Sequence, residues 1–121
     1  MRRNPSVRAQ IERLQPGDCA VSSITAFELF HGLERCSQPD REREKIAELM
    51  RVVGVLPFDE AAAKRAAKVR HELEKTGNVI GPFDVLIAGH ALATGMVLVT
   101  NNMGEFSRVD GLTLEDWQRP V

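Results

Sequence analysis

Cysteine is scarce in this chain: Cys19 and Cys36 are the only two among 121 residues. Two thiols are too few for a disulfide framework and have no metal-ligand spacing, so they read as buried thiols of a reducing compartment. Nowhere is there an apolar run long enough to span a bilayer. The opening MRRNPSVRAQIERLQPGD has arginines but no apolar stretch of the kind a secretory signal needs. A cytoplasmic location and no membrane partner are the expectations that follow. Charge of one sign is also lacking, since the formal net charge is −1. Global electrostatic attraction for nucleic acid is thereby excluded, and only local patches could serve it.

Several catalytic signatures are missing as well. His31, His71 and His90 fall on three different predicted helices without H-E-x-x-H spacing, which argues against a zinc site. Ser22 and Ser23 lack the G-x-S-x-G elbow, and the glycines form neither G-x-G-x-x-G nor a P-loop, which argues against hydrolase triads and nucleotide cofactors. No repeat, linker or low-complexity segment interrupts the chain. What is present is 43% apolar and 27% charged residues, the balance of a soluble globular protein, at a length that suits one domain over 1–121 with a real core.

Asn4-Pro5-Ser6 opens a first predicted helix, with Val7, Ile11 and Leu14 at i, i+4 and i+7, and Pro16-Gly17 stops it. Cys19 to Val21 make a brief buried strand that passes through Ser22 and Ser23 into a helix carrying Ile24, Phe27, Phe30 and Leu33. Glu28 lies in the first turn or two of that helix. Thr25 and Glu28 also fit a capping box, in which the glutamate reaches back to an N-cap amide, so structural and functional readings of Glu28 compete. After a polar break at 37–40 comes a helix with Ile46, Leu49, Met50 and Val53 on one face. A strand lies within 52–58, and Asp59 caps a long helix with Ala62, Ala66, Val69 and Leu73 along its stripe, ended by Gly77. Lys64, Arg65, Lys68, Arg70, His71 and Lys75 make this the most basic surface of the chain; solvation of an ordinary helix face explains it as readily as a binding role.

Ile80 to Asn102 is the stretch around which the rest is organised. Gly81 and Pro82 suit the N-cap and first helical position, which puts Asp84 in the first turn at the positive end of the helix. Gly95 closes the helix, and Met96 to Val99 read as a strand buried on both faces. Thr100, Asn101 and Asn102 then emerge at the strand's C-terminal edge, where open α/β sheets bind ligands. Phe106 and 109–111 form a connector to a last strand over 112–117, with Trp117 packed against the sheet edge. Alternating elements imply an α/β fold with a mainly parallel sheet covered on both faces.

Glu28 and Asp84 would both lead helices into one crevice at that edge. Crowded carboxylates repel one another unless they share a divalent cation, and a hard oxygen-seeking ion such as Mg²⁺ suits them. Asn102 could add an amide oxygen and Glu105 a third carboxylate. Such a site would activate a water against a phosphodiester. Helix capping by the two acids is the competing explanation.

These residues resemble the PIN-domain ribonucleases, and specifically the VapC toxins of bacterial toxin–antitoxin pairs. The resemblance lies in SSITAFELFHGL around Glu28, VRHELEKTGNVIGPFDVLIAGHAL around Asp84 and VLVTNNMGEFSRVDGLTLEDW, together with NPSVRAQIERL. It implies a three-layer α/β/α fold, Mg²⁺- or Mn²⁺-dependent endoribonuclease cleavage of RNA, a homodimer, and inhibition by a VapB-type antitoxin seated in the active-site groove. Family roles carry over to Glu28 and Asp84 as metal-site acids. Asn102 stands where an acid is frequent and joins the catalytic set, and Glu105 falls where a further metal-site acid sometimes occurs. The family's first strand, with an aspartate in a D-T-N motif, has no counterpart before Met1-Arg2-Arg3-Asn4, and Asp18 precedes a different strand. A polypeptide without that aspartate admits a second reading, a catalytically inactive PIN remnant that acts only as a protein-binding module.

Overall fold

The computed structural model describes residues 19–100 and 102–116. The first predicted helix, Asn101 and Trp117 therefore lie outside the described residues. Two compact units follow one another in the chain, one within Ala9–Pro57 and the other within Phe58–Val121.

In the earlier unit, strand β1 (Cys19–Ser22) runs straight into helix α1 (Ser23–Glu34), followed by α2 (Pro39–Val52) and β2 (Val53–Leu56). The two strands pair in parallel from Cys19 opposite Val53 to Ser22 opposite Leu56. Parallel neighbours need a crossover, and here α1 and α2 supply it. Ser22 caps α1 by accepting a hydrogen bond from the Ile24 N–H at 3.1 Å. With Ser22 as the cap, Glu28 lies beyond the first turn, and the expected Thr25–Glu28 capping box does not form. Ala26 is the buried residue of α1, whereas Phe27 and Phe30 are each 51% exposed. Cys36, expected buried, is half-buried and free.

The later unit holds helix α3 (Glu60–Thr76), helix α4 (Pro82–Thr94), strand β3 (Leu98–Val99), a one-turn helix α5 (Met103–Phe106) and strand β4 (Leu114–Glu115). As the sequence suggested, the Asp59 carboxylate caps α3 by accepting from the Ala62 N–H at 3.0 Å. Gly77 ends the helix at φ 71°, a left-handed conformation that costs glycine nothing. Gly81 and Pro82 open α4, and Gly95 at φ 69° closes it. Strands β3 and β4 pair in parallel, Leu98 opposite Leu114 and Val99 opposite Glu115.

Strand β3 is shorter and barer than expected, for Met96, Val97 and Val99 are 46%, 45% and 37% exposed. Among the described residues it pairs along one edge only, with a β4 of two residues, so little backbone or side-chain cover reaches it. The turn of helix at Met103–Phe106 stands where a plain connector was expected. Four residues are too few to show a periodicity.

The core of this unit is the crossing of α3 and α4. Ala62, Ala66, Val69 and Leu73 face Val85, Ile87, Ala88 and His90, all buried. At the crossing point Gly89 has no room for a side chain: a Cβ there would overlap the backbone Cα and N of Ala66. Below, His90 meets the Phe58 ring edge-on at a centroid distance of 5.5 Å. Helix propensity alone would make Gly89→Ala stabilising by about 1 kcal/mol. The overlap with backbone atoms reverses that sign, and we expect a net loss of roughly 1–3 kcal/mol in denaturant unfolding. An unchanged or raised midpoint would refute the close crossing.

Candidate active site

Three of the four residues singled out in the sequence meet at the N-terminus of α4. Asp84 sits in the first turn of that helix, half-buried, with its carboxylate turned back over Gly81. A Cβ placed on Gly81 would stand 3.3 Å from Asp84 Oδ2. The first-turn position favours a negative charge, because the helix presents unpaired N–H groups and the positive end of its dipole there.

Glu105, on α5, reaches the same place from 21 residues further along the chain. Its Oε1 accepts a hydrogen bond from the Gly81 backbone N–H at 3.3 Å. Its Oε2 accepts from the Asn102 side-chain Nδ2 at 2.8 Å. A side-chain hydrogen bond with Asp84 holds the Glu105 carboxyl below its ordinary value of 4.5; the Asn102 amide, the Gly81 N–H and the positive Arg108 add to the effect against some desolvation. Two carboxyl groups hydrogen-bond only with a proton between them, so Asp84 and Glu105 are close enough to repel strongly once both are ionised.

Asn102 is itself held in place, its backbone N–H donating to Thr100 Oγ1 at 2.9 Å just beyond β3. With Nδ2 committed to Glu105, its carbonyl oxygen points the other way as an acceptor. Arg108 ties the far side together: its guanidinium donates to the Val79 carbonyl at 3.2 Å. Nothing in the motif reading marked Arg108. Its place three residues after Glu105 was the available signal, since that spacing shares one side of a helical turn.

Glu28 belongs to the other unit, exposed on α1 immediately after β1. It lines a cavity of about 510 Å³ with Arg35, Cys36 and Glu42 among its neighbours. Among the described residues no group of three or more His, Cys, Asp and Glu side chains is gathered as a metal cluster. The later unit thus contributes a carboxylate pair with an amide. That donor set fits a hard divalent cation, which typically takes one or two carboxylates and retains several waters.

The Glu105 network makes acid stability a readout. A carboxyl depressed in the folded state stabilises the fold above its ordinary value, and the contribution is lost as pH falls through the folded-state value. In EDTA, unfolding free energy should therefore decline below about pH 4.5. Glu105→Gln should flatten that decline, and superimposable acid limbs for the two proteins would remove Glu105 from the network.

The PIN domain family matches residues 2–112. The tRNA(fMet)-specific endonuclease VapC of Shigella flexneri is 43% identical over 93% of this chain and 84% of its own length. Ribonuclease VapC2 of Haemophilus influenzae is 38% identical over 84% of this chain and 76% of its own. Among solved structures, DNA-bound VapBC from Salmonella typhimurium superposes with a TM-score of 0.85 at 36% identity, covering 93% of this chain and 85% of that one. The chain therefore belongs to the PIN-domain family and has its α/β fold, and within the family it is of the VapC type.

Proposed function

We propose that this chain is a divalent-metal-dependent endoribonuclease toxin restrained by a VapB-type antitoxin. The observation that carries the reading is the convergence of Asp84 and Glu105 on Gly81 at the head of α4, with Asn102 bracing Glu105. Two acids held this close share either a proton or a cation, and for the ionised pair Mg²⁺ or Mn²⁺ has the right preference for oxygen. Relatives named as ribonucleases and as a tRNA(fMet)-specific endonuclease support RNA, and transfer RNA first, as the substrate to test.

In this reading Asp84 and Glu105 would hold the metal and Asn102 would orient Glu105. The metal's contribution is to lower the pKa of a water and offset charge on the phosphodiester. The protein's own share is pre-organisation. The Gly81 N–H and Asn102 Nδ2 fix the Glu105 oxygens, and the α4 N-terminus keeps Asp84 favourable as an anion. Protein partners suit the surface of α1, where Phe27 and Phe30 expose about half their area. A VapB-type antitoxin, as in the VapBC complexes named above, and a second copy of the chain belong to this proposal, as does a cytoplasmic setting.

Two measurements test it. With Mg²⁺ the chain should cleave transfer RNA, and Asp84→Asn should lower the rate by roughly 10²-fold or more. Equal cleavage by the two would sink the assignment of Asp84. Independently, Mg²⁺ at a hundred times its Kd should stabilise the parent by about 2.7 kcal/mol, and the gain should vanish in Asp84→Asn with Glu105→Gln. A parent that binds antitoxin yet shows no metal-linked rise in melting temperature would instead be the inactive, protein-binding PIN remnant.

A further inference from the structure

A second charged region lies in the same unit as Asp84 and Glu105 and shares only Arg108 with their network. Helix α3 from Arg65 onward and the loop at 108–111 enclose an open cleft of about 540 Å³. Its polar rim comprises four cations, Arg65, Lys68, Lys75 and Arg108, against two acids, Glu72 and Asp110. The chain as a whole carries a net charge of −1, so this local excess of positive charge runs against the overall balance.

The pairing of charges on α3 separates this surface from ordinary helix solvation. Lys64 pairs with Glu60 at 3.1 Å and Arg70 with Glu74 at 3.3 Å, both at helical i,i+4 spacing. Among the described residues Arg65, Lys68 and Lys75 make no ion pair. Lys68 and Glu72 also stand four apart, the spacing at which a pair forms readily, and yet they do not pair. The unpaired cations of the helix are thus the ones that line the cleft. A concave surface with unpaired cations focuses potential on an anion more strongly than a convex one.

Position adds the second argument. Leu92 on α4 forms part of the cleft wall, and Asp84 lies eight residues earlier on the same helix. At 1.5 Å of rise per residue the separation along the axis is about 12 Å, a length that a few nucleotides of backbone cover. Arg108 links the two regions, since it lines the cleft and also acts on Glu105.

Resting on the ribonuclease reading above, we infer that this cleft seats the phosphodiester backbone of the RNA substrate a few nucleotides away from the cut. Lysine and arginine contacts to phosphates carry no base selection, so the cleft would contribute affinity and register, not sequence choice. An acidic segment of a protein partner is the competing occupant.

The test uses the full chain with Asp84→Asn, which keeps RNA uncut while binding is measured. Unfractionated transfer RNA is the probe, titrated across salt concentrations. Reversal of the unpaired cations, Arg65→Glu with Lys68→Glu, should weaken binding roughly tenfold or more near 0.1 M salt and reduce the salt slope by about one unit per replaced cation. Reversal of the paired cations, Lys64→Glu with Arg70→Glu, changes net charge equally and should leave the slope nearly intact. Melting curves for both double variants establish that each is folded. Equal loss in the two double variants, or no loss in either, overturns the inference while leaving the ribonuclease reading standing. Failure of the Asp84→Asn parent to bind transfer RNA at all would remove both. Intact RNA binding by the Arg65→Glu, Lys68→Glu variant, with loss of binding to an oligoglutamate peptide, would give the cleft to a protein partner and overturn the assignment to RNA.

Discussion

The close approach of Gly89 to the Ala66 backbone is the contact on which the rest of the later unit depends. Where two helices touch backbone to backbone, neither can slide or roll without steric overlap, so the axis of α4 is fixed by α3. The alanines on either side, Ala62 and Ala88, are fully buried and leave no slack. Both ends of α4 inherit that rigidity. At one end Gly81 and Pro82 start the helix and Asp84 takes its place in the first turn; at the other Leu92 helps to wall the basic cleft. A helix otherwise mobile by an ångström would carry its first-turn acid out of reach of Glu105, whose own position is set by a different element.

Acid pairing at the head of α4 is an expense that the surroundings reduce and do not remove. The Gly81 N–H, the Asn102 amide and Arg108 all favour the ionised form of Glu105, and the helix dipole favours that of Asp84. Each of these groups is a fixed dipole or a distant charge, so none can sit between the two carboxyl groups as a proton or a cation can. Under the proposed metal dependence a divalent ion between the two carboxyl groups would relieve that crowding.

The sequence made the limits of α3 and α4 legible because Asp59, Gly77, Gly81-Pro82 and Gly95 are each demanded by backbone chemistry at a helix end. Asp84, Asn102 and Glu105 were legible as oxygen donors, though not the hydrogen bonds that tie them together, since those depend on where α5 falls. Glu28 illustrates the opposite case. Its spacing from Thr25 satisfied a capping pattern, but Ser22 captured the cap because its hydroxyl reaches the Ile24 N–H directly out of β1. Strand β3 is barer than its apolar run suggests, because such a run states what a segment would tolerate, and cover is supplied by neighbours that the run itself does not encode. Gly89 carries a signal in the sequence itself: a glycine inside a strongly helical pattern costs about 1 kcal/mol against alanine, so its presence there points to a backbone that comes too close for a Cβ.

Charge geometry also explains why one region could not do the work of both. At physiological ionic strength electrostatic influence through solvent decays over about 8 Å, whereas the cleft wall at Leu92 stands about 12 Å along α4 from Asp84. The acid pair alone would repel a phosphodiester. Attraction at the cleft can hold a polyanion near the site, but only a cation between the carboxylates can let a phosphate approach them. Arg108 is the one described side chain common to both regions, and it is already committed to the Val79 carbonyl. In the proposed ribonuclease the two regions would act in series on one strand, the cleft by retaining the backbone and the acids by engaging it once their own charge has been offset.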